Sequence, residues 1–410
     1  MKKILIHMIC LFIPIKSWRK KARDKLLYLA YFAPEAEHSD NSFYDYEIRE
    51  KSVLIVEPNS FHGEILPGFA KYFQELGFNV DLFLRPHNMR QDPFCDYPQD
   101  KLPQFFLGNM EHIKEWLHLE KINNYEYIFF SSYTYGEKYL TAGDSYLKYL
   151  EFLPKARKGL LVVEHSLFCL NKYGAEKWLQ EGRLFLLWPF QGIPFLNPHY
   201  FGERKISRKN AKTRFFAVGI VMDRNCLGLI FEAAQKLLSA ENGNFELILA
   251  GRGEAPKITK RLAQHVKFKG GLDFAAMFAE IRAADFILLP LSYAVERHRE
   301  YLRGKVSGTN QLMLGFVKPC LFEKAFANAY GLTEKNAVIY DNGRELADAM
   351  RRAMEMCPEE YDRMRENLQF LADEMYGESL ANLREVLQKA ESNNSHFKTS
   401  FPGRDVEKFA

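Results

Sequence analysis

The chain of 410 residues has six cysteines and no C-x-x-C pair: Cys10, Cys95, Cys169, Cys226, Cys320 and Cys357 lie far apart. That spacing argues against a zinc module or a disulfide framework and points to a reducing cytoplasm. The phosphate-loop pattern G-x-x-x-x-G-K-[ST] is missing, and so is a D-x-D triplet after any expected strand. Metal dependence is therefore not expected. A hydrophobic share of 47% and a charged share of 26% exclude a mainly disordered or collagen-like chain.

Charge is also missing where a nucleic-acid binder needs it. The net +4 comes from the start of the chain, since residues 1–30 hold eight Lys or Arg and one acid, Asp24. The rest is slightly acidic, which leaves no broad surface for nucleic acid. Within that basic start, Ile4–Ile15 is an apolar run of twelve residues. As a helix it reaches about 18 Å, short of the ~30 Å of a hydrocarbon core. Three readings compete for it: an interfacial anchor on an anionic membrane surface, a helix packed on the body, and a cleaved signal. No small-x-small cleavage site follows, so the anchor fits best.

From residue 51 apolar runs alternate with helical stripes. SVLIVEP, NVDLFL, YIFF (127–130), LLVVE (160–164) and LFLL (184–187) read as buried strands. Phe69, Tyr72, Phe73 and Leu76 form a helical stripe that ends at Gly77. A second series runs through FFAVG (215–219), FELILAG (245–251), VKFKG (266–270), DFILLPL (285–291), KPCLF and VIY (338–340), with helices between. The pattern predicts α/β architecture with two Rossmann-like parallel-sheet domains facing a cleft, at 50–205 and 213–375. The polar stretch 202–213 is the expected boundary, and 391–410 the expected frayed tail.

Parallel sheets place ligands beyond the carboxyl ends of their strands, so residues there are the candidates. His62, Gly63 and Glu64 follow the first strand, where Gly63 permits close backbone approach. His165 ends LLVVEHS and can bond a sugar hydroxyl or act as acid or base. Gly219 ends a strand, and Arg224 opens the next helix, where it can pair with phosphate. Gly251 and Arg252 sit in a strand-end turn, with Gly253 completing a lone G-x-G. In LRGKVSGTNQL, Lys305 precedes Ser307, Gly308 and Thr309 at a helix start. A lysine beside free helix amides makes a diphosphate site without a metal, and Ser307 or Thr309 can cap the helix.

At these residues the chain resembles glycosyltransferases of the GT-B type. It is most similar, at FAVG…R…LIFEAA, FELILAGRGE, VKFKGG, ADFILLPL and KVSGT…GFVKPCL, to the retaining glycosyltransferase family 4-like enzymes with bacterial surface-polysaccharide members. The resemblance is strong over 213–345 and loose before 200. It implies transfer of a sugar from a nucleotide-diphosphate donor to a glycan or lipid-linked acceptor of lipopolysaccharide or capsule type, at the inner face of a bacterial inner membrane. No cofactor is implied beyond the nucleotide sugar as substrate. By the same likeness, Arg224 and Lys305 hold the diphosphate and Ser307, Gly308 and Thr309 add backbone contacts. The loop at 251–253 lies near the base, while His165 and residues 62–64 face sugar and acceptor. One departure stands out. The family's two glutamates eight apart are absent, and Glu296 and Glu300 stand four apart instead. Glu296 is the candidate for the first of them. A sugar-nucleotide epimerase of the same fold and an inactive partner subunit are the alternatives.

Overall fold

A computed structural model describes residues 42–57, 59, 62–132, 159–167, 176–205, 209–219, 224–251, 255–289 and 291–397. The segment 1–30, with its anchor reading, lies outside them.

The buried runs become strands. β1 (Ser52–Glu57), β2 (Asn79–Leu84), β3 (Gln104–Leu107), β4 (Tyr127–Phe130), β5 (Gly159–Glu164) and β6 (Leu184–Leu186) pair in the order β3-β2-β1-β4-β5-β6. β7 (Thr213–Val218), β8 (Phe245–Ala250), β9 (Val266–Gly270), β10 (Phe286–Leu288), β11 (Cys320–Glu323) and β12 (Val338–Tyr340) pair as β12-β11-β10-β7-β8-β9. All the pairings are parallel. Counted from its own first strand, each sheet has the same order. Each therefore reverses direction once, between β1 and β4 and between β7 and β10, and such a switch point opens a crevice for a ligand. The fold is α/β with two Rossmann-like domains, the architecture that the GT-B resemblance implies.

Parallel strands must be covered on both faces, and every residue of β1 is buried. The longer helices do the covering: α1 (Leu66–Glu75), α2 (Met110–His118), α3 (Arg224–Ser239), α4 (Phe274–Ala283), α5 (Gly308–Phe316), α6 (Leu346–Glu355) and α7 (Pro358–Phe397). On α1, Phe69, Tyr72 and Phe73 are buried, as their helical spacing predicts.

Three elements differ from expectation. β3 is a strand that the sequence reading passed over. Its apolar run is only Phe105, Phe106 and Leu107, and of its four residues one is exposed and two are half-buried, so it lacks the length of the other buried runs. The strand expected at 285–291 is only Phe286–Leu288. Asp285 is instead a buried anchor: its two oxygens accept from the amides of Asn210 (2.8 Å) and Arg214 (2.7 Å). Finally, α7 runs on to Phe397, past both the domain end at 375 and the tail expected to fray from 391. Leu383, Val386, Leu387 and Ala390 explain it. Their spacing makes one apolar face, which is buried in the core of the first domain with Val53, Phe129 and Leu161.

The domains are closely joined. Gly68 of α1 and Gly315 of α5 take the connecting segment between them. A Cβ at Gly68 would stand 2.6 Å from Pro198, and one at Gly315 would stand 2.4 Å from the His199 carbonyl oxygen. Trp188 Nε1 donates to the Ala329 carbonyl at 2.9 Å, and the Phe274 amide to that of Gln91 at 2.8 Å.

Candidate functional site

The switch point of the second sheet opens into a cavity of about 330 Å3. Val218 and Gly219 enter it from β7, and Leu289 and Leu291 follow β10. Gly219 has φ +74°, a conformation that suits glycine, and its amide donates to the Ala250 carbonyl at 2.9 Å. Lys305, Ser307 and Thr309 form the opposite wall with Arg297, His298 and Tyr301. Ser307 is the N-cap residue of α5, yet its side chain makes no capping bond. The expected cap is absent, and the first-turn amides at Gly308 and Thr309 keep the partial positive charge of a helix start. Lys305 Nζ donates to Glu300 Oε2 at 2.9 Å and lies 5.2 Å from the Tyr301 ring centre.

The switch point of the first sheet holds a denser polar group. Glu57 closes β1 and is fully buried. Its Oε1 accepts from Asn59 N (2.8 Å) and Nδ2 (2.9 Å), and its Oε2 from Ser131 Oγ (2.7 Å) and Ser132 Oγ (2.8 Å). Burial nevertheless holds its carboxyl above the ordinary range, against the charge of His62 and these bonds. Glu164, also fully buried, ends β5 and accepts from the amides of His165 (2.7 Å) and Ser166 (3.1 Å). It thereby fixes the turn that presents His165.

His165 Nε2 lies 3.1 Å from both the Ser131 carbonyl oxygen and Ser132 Oγ. Its ring centre is 4.4 Å from that of His62, whose Nδ1 is 3.7 Å from Glu64 Oε1. The two imidazoles are driven apart. Burial, then the charge of His62, pushes His165 down to about 3, so it is neutral at ordinary pH. Burial works against the charge on His62 too, but the Glu64 carboxylate, with Glu57 and Glu164 behind it, outweighs burial and raises it. Glu64 is lowered in turn: the bond to His62 overcomes its own burial. His62 also holds φ +68°, unusual for a residue with a side chain, and such backbone strain is found at functional sites.

The two groups meet. Ser166 forms an antiparallel bridge with Lys305, and the Val306 amide donates to the His165 carbonyl at 3.4 Å. A Cβ at Gly63 would stand 3.3 Å from the Phe274 ring, and one at Gly308 would stand 3.7 Å from Glu64 Oε1. His62, Gly63, Glu64, His165, Gly219, Lys305, Ser307, Gly308 and Thr309 are thus brought around one cleft.

Other candidates are not gathered there. Glu296 begins a short 3-10 helix, is exposed and does not line the cavity, because the turn of that helix points His298 inward instead. Gly251 bonds through its amide to the Gly270 carbonyl at 2.8 Å and lies off the cavity wall. Arg224 opens α3, while its side chain and the whole of Arg252 lie outside the described residues. The sequence reading missed Glu57, Ser131, Ser132 and Arg297. A glutamate inside an otherwise apolar strand was the available signal for Glu57. Among the described residues, no three His, Cys, Asp or Glu side chains form a group able to hold a metal ion, and no helix is long and apolar enough to cross a membrane.

No family model and no curated protein matches the chain. Among solved structures it is similar to the glycosyltransferase of kitacinnamycin, at 11% identity and TM-score 0.47 over 83% of this chain and 100% of that one. It is similar to MnaA of S. aureus in complex with UDP, at 12% identity and TM-score 0.47 over 88% and 100%. It is also similar to SnogD, a glycosyltransferase from Streptomyces nogalater, at 12% identity and TM-score 0.41 over 82% and 100%. TM-scores under 0.5 leave the fold assignment to rest on the two sheets themselves.

Proposed function

We propose that the protein is a glycosyltransferase that moves a sugar from a nucleotide-diphosphate donor in the second-domain cavity to an acceptor hydroxyl at the first-domain cluster. The observation that carries the reading is the meeting of two switch-point sites of opposite chemistry. One offers Lys305 and the first-turn amides of α5 to a dianionic leaving group. The other offers a neutral imidazole, His165, with His62 and Glu64 beside it. The exposed pair Lys305–Glu300 contributes little to stability, so the lysine exchanges its carboxylate for phosphate at small cost.

The finer reading rests on the sequence. The basic, apolar start supports peripheral binding to the inner face of a bacterial inner membrane and an acceptor of surface-glycan type, lipopolysaccharide or capsule. Retention of configuration follows from the family resemblance. Lys305 and the helix amides support a metal-independent reaction. The test is transfer and donor hydrolysis by purified protein over a panel of nucleotide sugars, with and without EDTA, and with the anomer of the product determined. Release of nucleoside diphosphate with several donors refused and one accepted supports the reading. Conversion of free nucleotide sugar to its epimer makes the protein an epimerase instead.

One observation favours a second reading. Glu296 is exposed and off the cavity, so the candidate for the family's first glutamate is not at the proposed donor site. An inactive subunit that binds nucleotide and a partner transferase would tolerate that loss. Tight nucleotide binding without turnover of any donor identifies this case.

A further inference from the structure

Resting on the transferase reading, we propose that Glu57 and Ser132 are positioning residues that fix His165 as the tautomer with its hydrogen on Nε2, so that Nδ1 receives the acceptor hydroxyl. A carbonyl oxygen only accepts, so the 3.1 Å contact of His165 Nε2 with the Ser131 carbonyl favours hydrogen on Nε2 and supplies one part of the preference, Ser132 the other. Ser132 Oγ, at 3.1 Å from the same nitrogen and 2.8 Å from Glu57 Oε2, gives its own hydrogen to the carboxylate and turns a lone pair to the imidazole. The direction of the chain is thus set from the buried end. Glu57 orders Ser132, Ser132 and the Ser131 carbonyl order His165, and the hydrogen bond at one ring nitrogen decides the state of the other.

Nδ1 is then a lone pair with no partner among the described residues. His165 is partly exposed on the cleft, beside the bridge that brings Lys305 and α5 across. The charged and titratable groups near it are His62, 4.4 Å away ring to ring, and Glu164, which accepts from the His165 amide, with Glu64 behind His62 and Glu57 behind Ser132. In the transfer the bond from the sugar carbon to the diphosphate oxygen breaks, and the acceptor oxygen bonds to that carbon on the face the diphosphate leaves, which retains configuration. The bonding pair leaves on the diphosphate, and the hydroxyl proton passes to Nδ1 and from there to water. A hydrogen on Nδ1 would block the hydroxyl, so holding the other tautomer keeps every molecule competent.

The test uses the full chain labelled with 15N in histidine. Long-range nitrogen–proton spectra between pH 5 and 8 should show His165, assigned by its loss in His165→Gln, with hydrogen on Nε2 alone. Ser132→Ala should populate the second tautomer and lower kcat roughly tenfold with donor KM unchanged, as loss of one hydrogen bond implies. Glu57→Gln should act in the same direction, and Ser132→Thr should restore both readouts. A thermal melt identifies any variant that does not fold. A parent spectrum with hydrogen on Nδ1, or on both nitrogens at pH 6, overturns the proposal whatever the variants do. So does a folded Ser132→Ala protein with parental spectrum and kcat. If the parent turns over no nucleotide sugar, the transferase reading falls, and the spectrum still decides the tautomer.

Discussion

Ser166 and Lys305 pair backbone to backbone although they belong to different domains. The bridge places the turn after β5 against the approach to α5, so the imidazole of His165 and the cation of Lys305 sit on the two sides of one short seam.

Lys305→Ala should lower affinity for a nucleoside diphosphate roughly tenfold to a hundredfold, the worth of a charge-assisted contact. Its partner Glu300 is 46% exposed and Lys305 itself 41%, so unfolding free energy should change by less than about 0.5 kcal/mol. Titration calorimetry and a melt on the same samples separate the two effects. Equal affinity in mutant and parent removes the lysine from the site.

His165→Ala should lower turnover by about a hundredfold or more while donor binding stays close to parental. Because burial and His62 hold His165 near 3, its own titration should leave no inflection in kcat between pH 5 and 8. An inflection in that range, lost in the variant, would show an imidazole that charges in the folded state.

The loop of residues 62–64 should be held best at intermediate pH. Glu64 is lowered, so its contribution is present above the unfolded carboxylate value and fades as pH falls through the lowered one. His62 is raised, so its contribution is full below the unfolded imidazole value of about 6.5 and is lost as pH rises through the raised one. His62→Gln should flatten the alkaline limb of Tm against pH. An alkaline limb unchanged in the variant assigns it to another group.

Gly315→Ala should destabilise by about 1–3 kcal/mol, since the added carbon meets a carbonyl oxygen and the Phe201 ring rather than a flexible chain end. Denaturant unfolding measures it. A neutral result would mean that the connecting segment shifts without cost.

Deleting residues 1–25 should release the protein from anionic vesicles, each basic side chain there contributing about 1 kcal/mol. Flotation at low and high salt checks it, and a truncated protein still bound at high salt refutes the anchor.

Most strands were legible because buried parallel strands need unbroken apolar runs, and YIFF falls on β4 residue for residue. VKFKG falls on β9 as well, at the sheet edge, where buried Val266 is followed by the exposed Lys267 and Lys269. Lys305, Ser307 and Gly308 were legible because a polar loop followed by a stripe marks a helix start. Glu57 was not, because its meaning depends on Ser131 and Ser132, more than seventy positions away and adjacent only once β1 and β4 pair. Glu296 stood as the counterpart of the family's first glutamate, but which residue of a 3-10 turn faces inward is decided by packing: Glu296 is exposed, and His298 is the buried residue of that turn.

The path of α7 has a consequence for synthesis of the chain. The first domain's own strands are complete by Leu186, yet Leu383, Val386, Leu387 and Ala390 complete its hydrophobic interior. Tyr127 donates to the Leu387 carbonyl at 3.2 Å and Ser379 Oγ accepts from the Asn197 amide at 3.0 Å, both in buried positions. A nascent chain must therefore wait for some two hundred further residues, on the order of ten to forty seconds of translation, before that domain can close. Until then its sheet keeps an apolar flank bare, which makes the growing chain a natural client for a holding chaperone. It also means that no single cut in the connecting segment yields two self-sufficient halves.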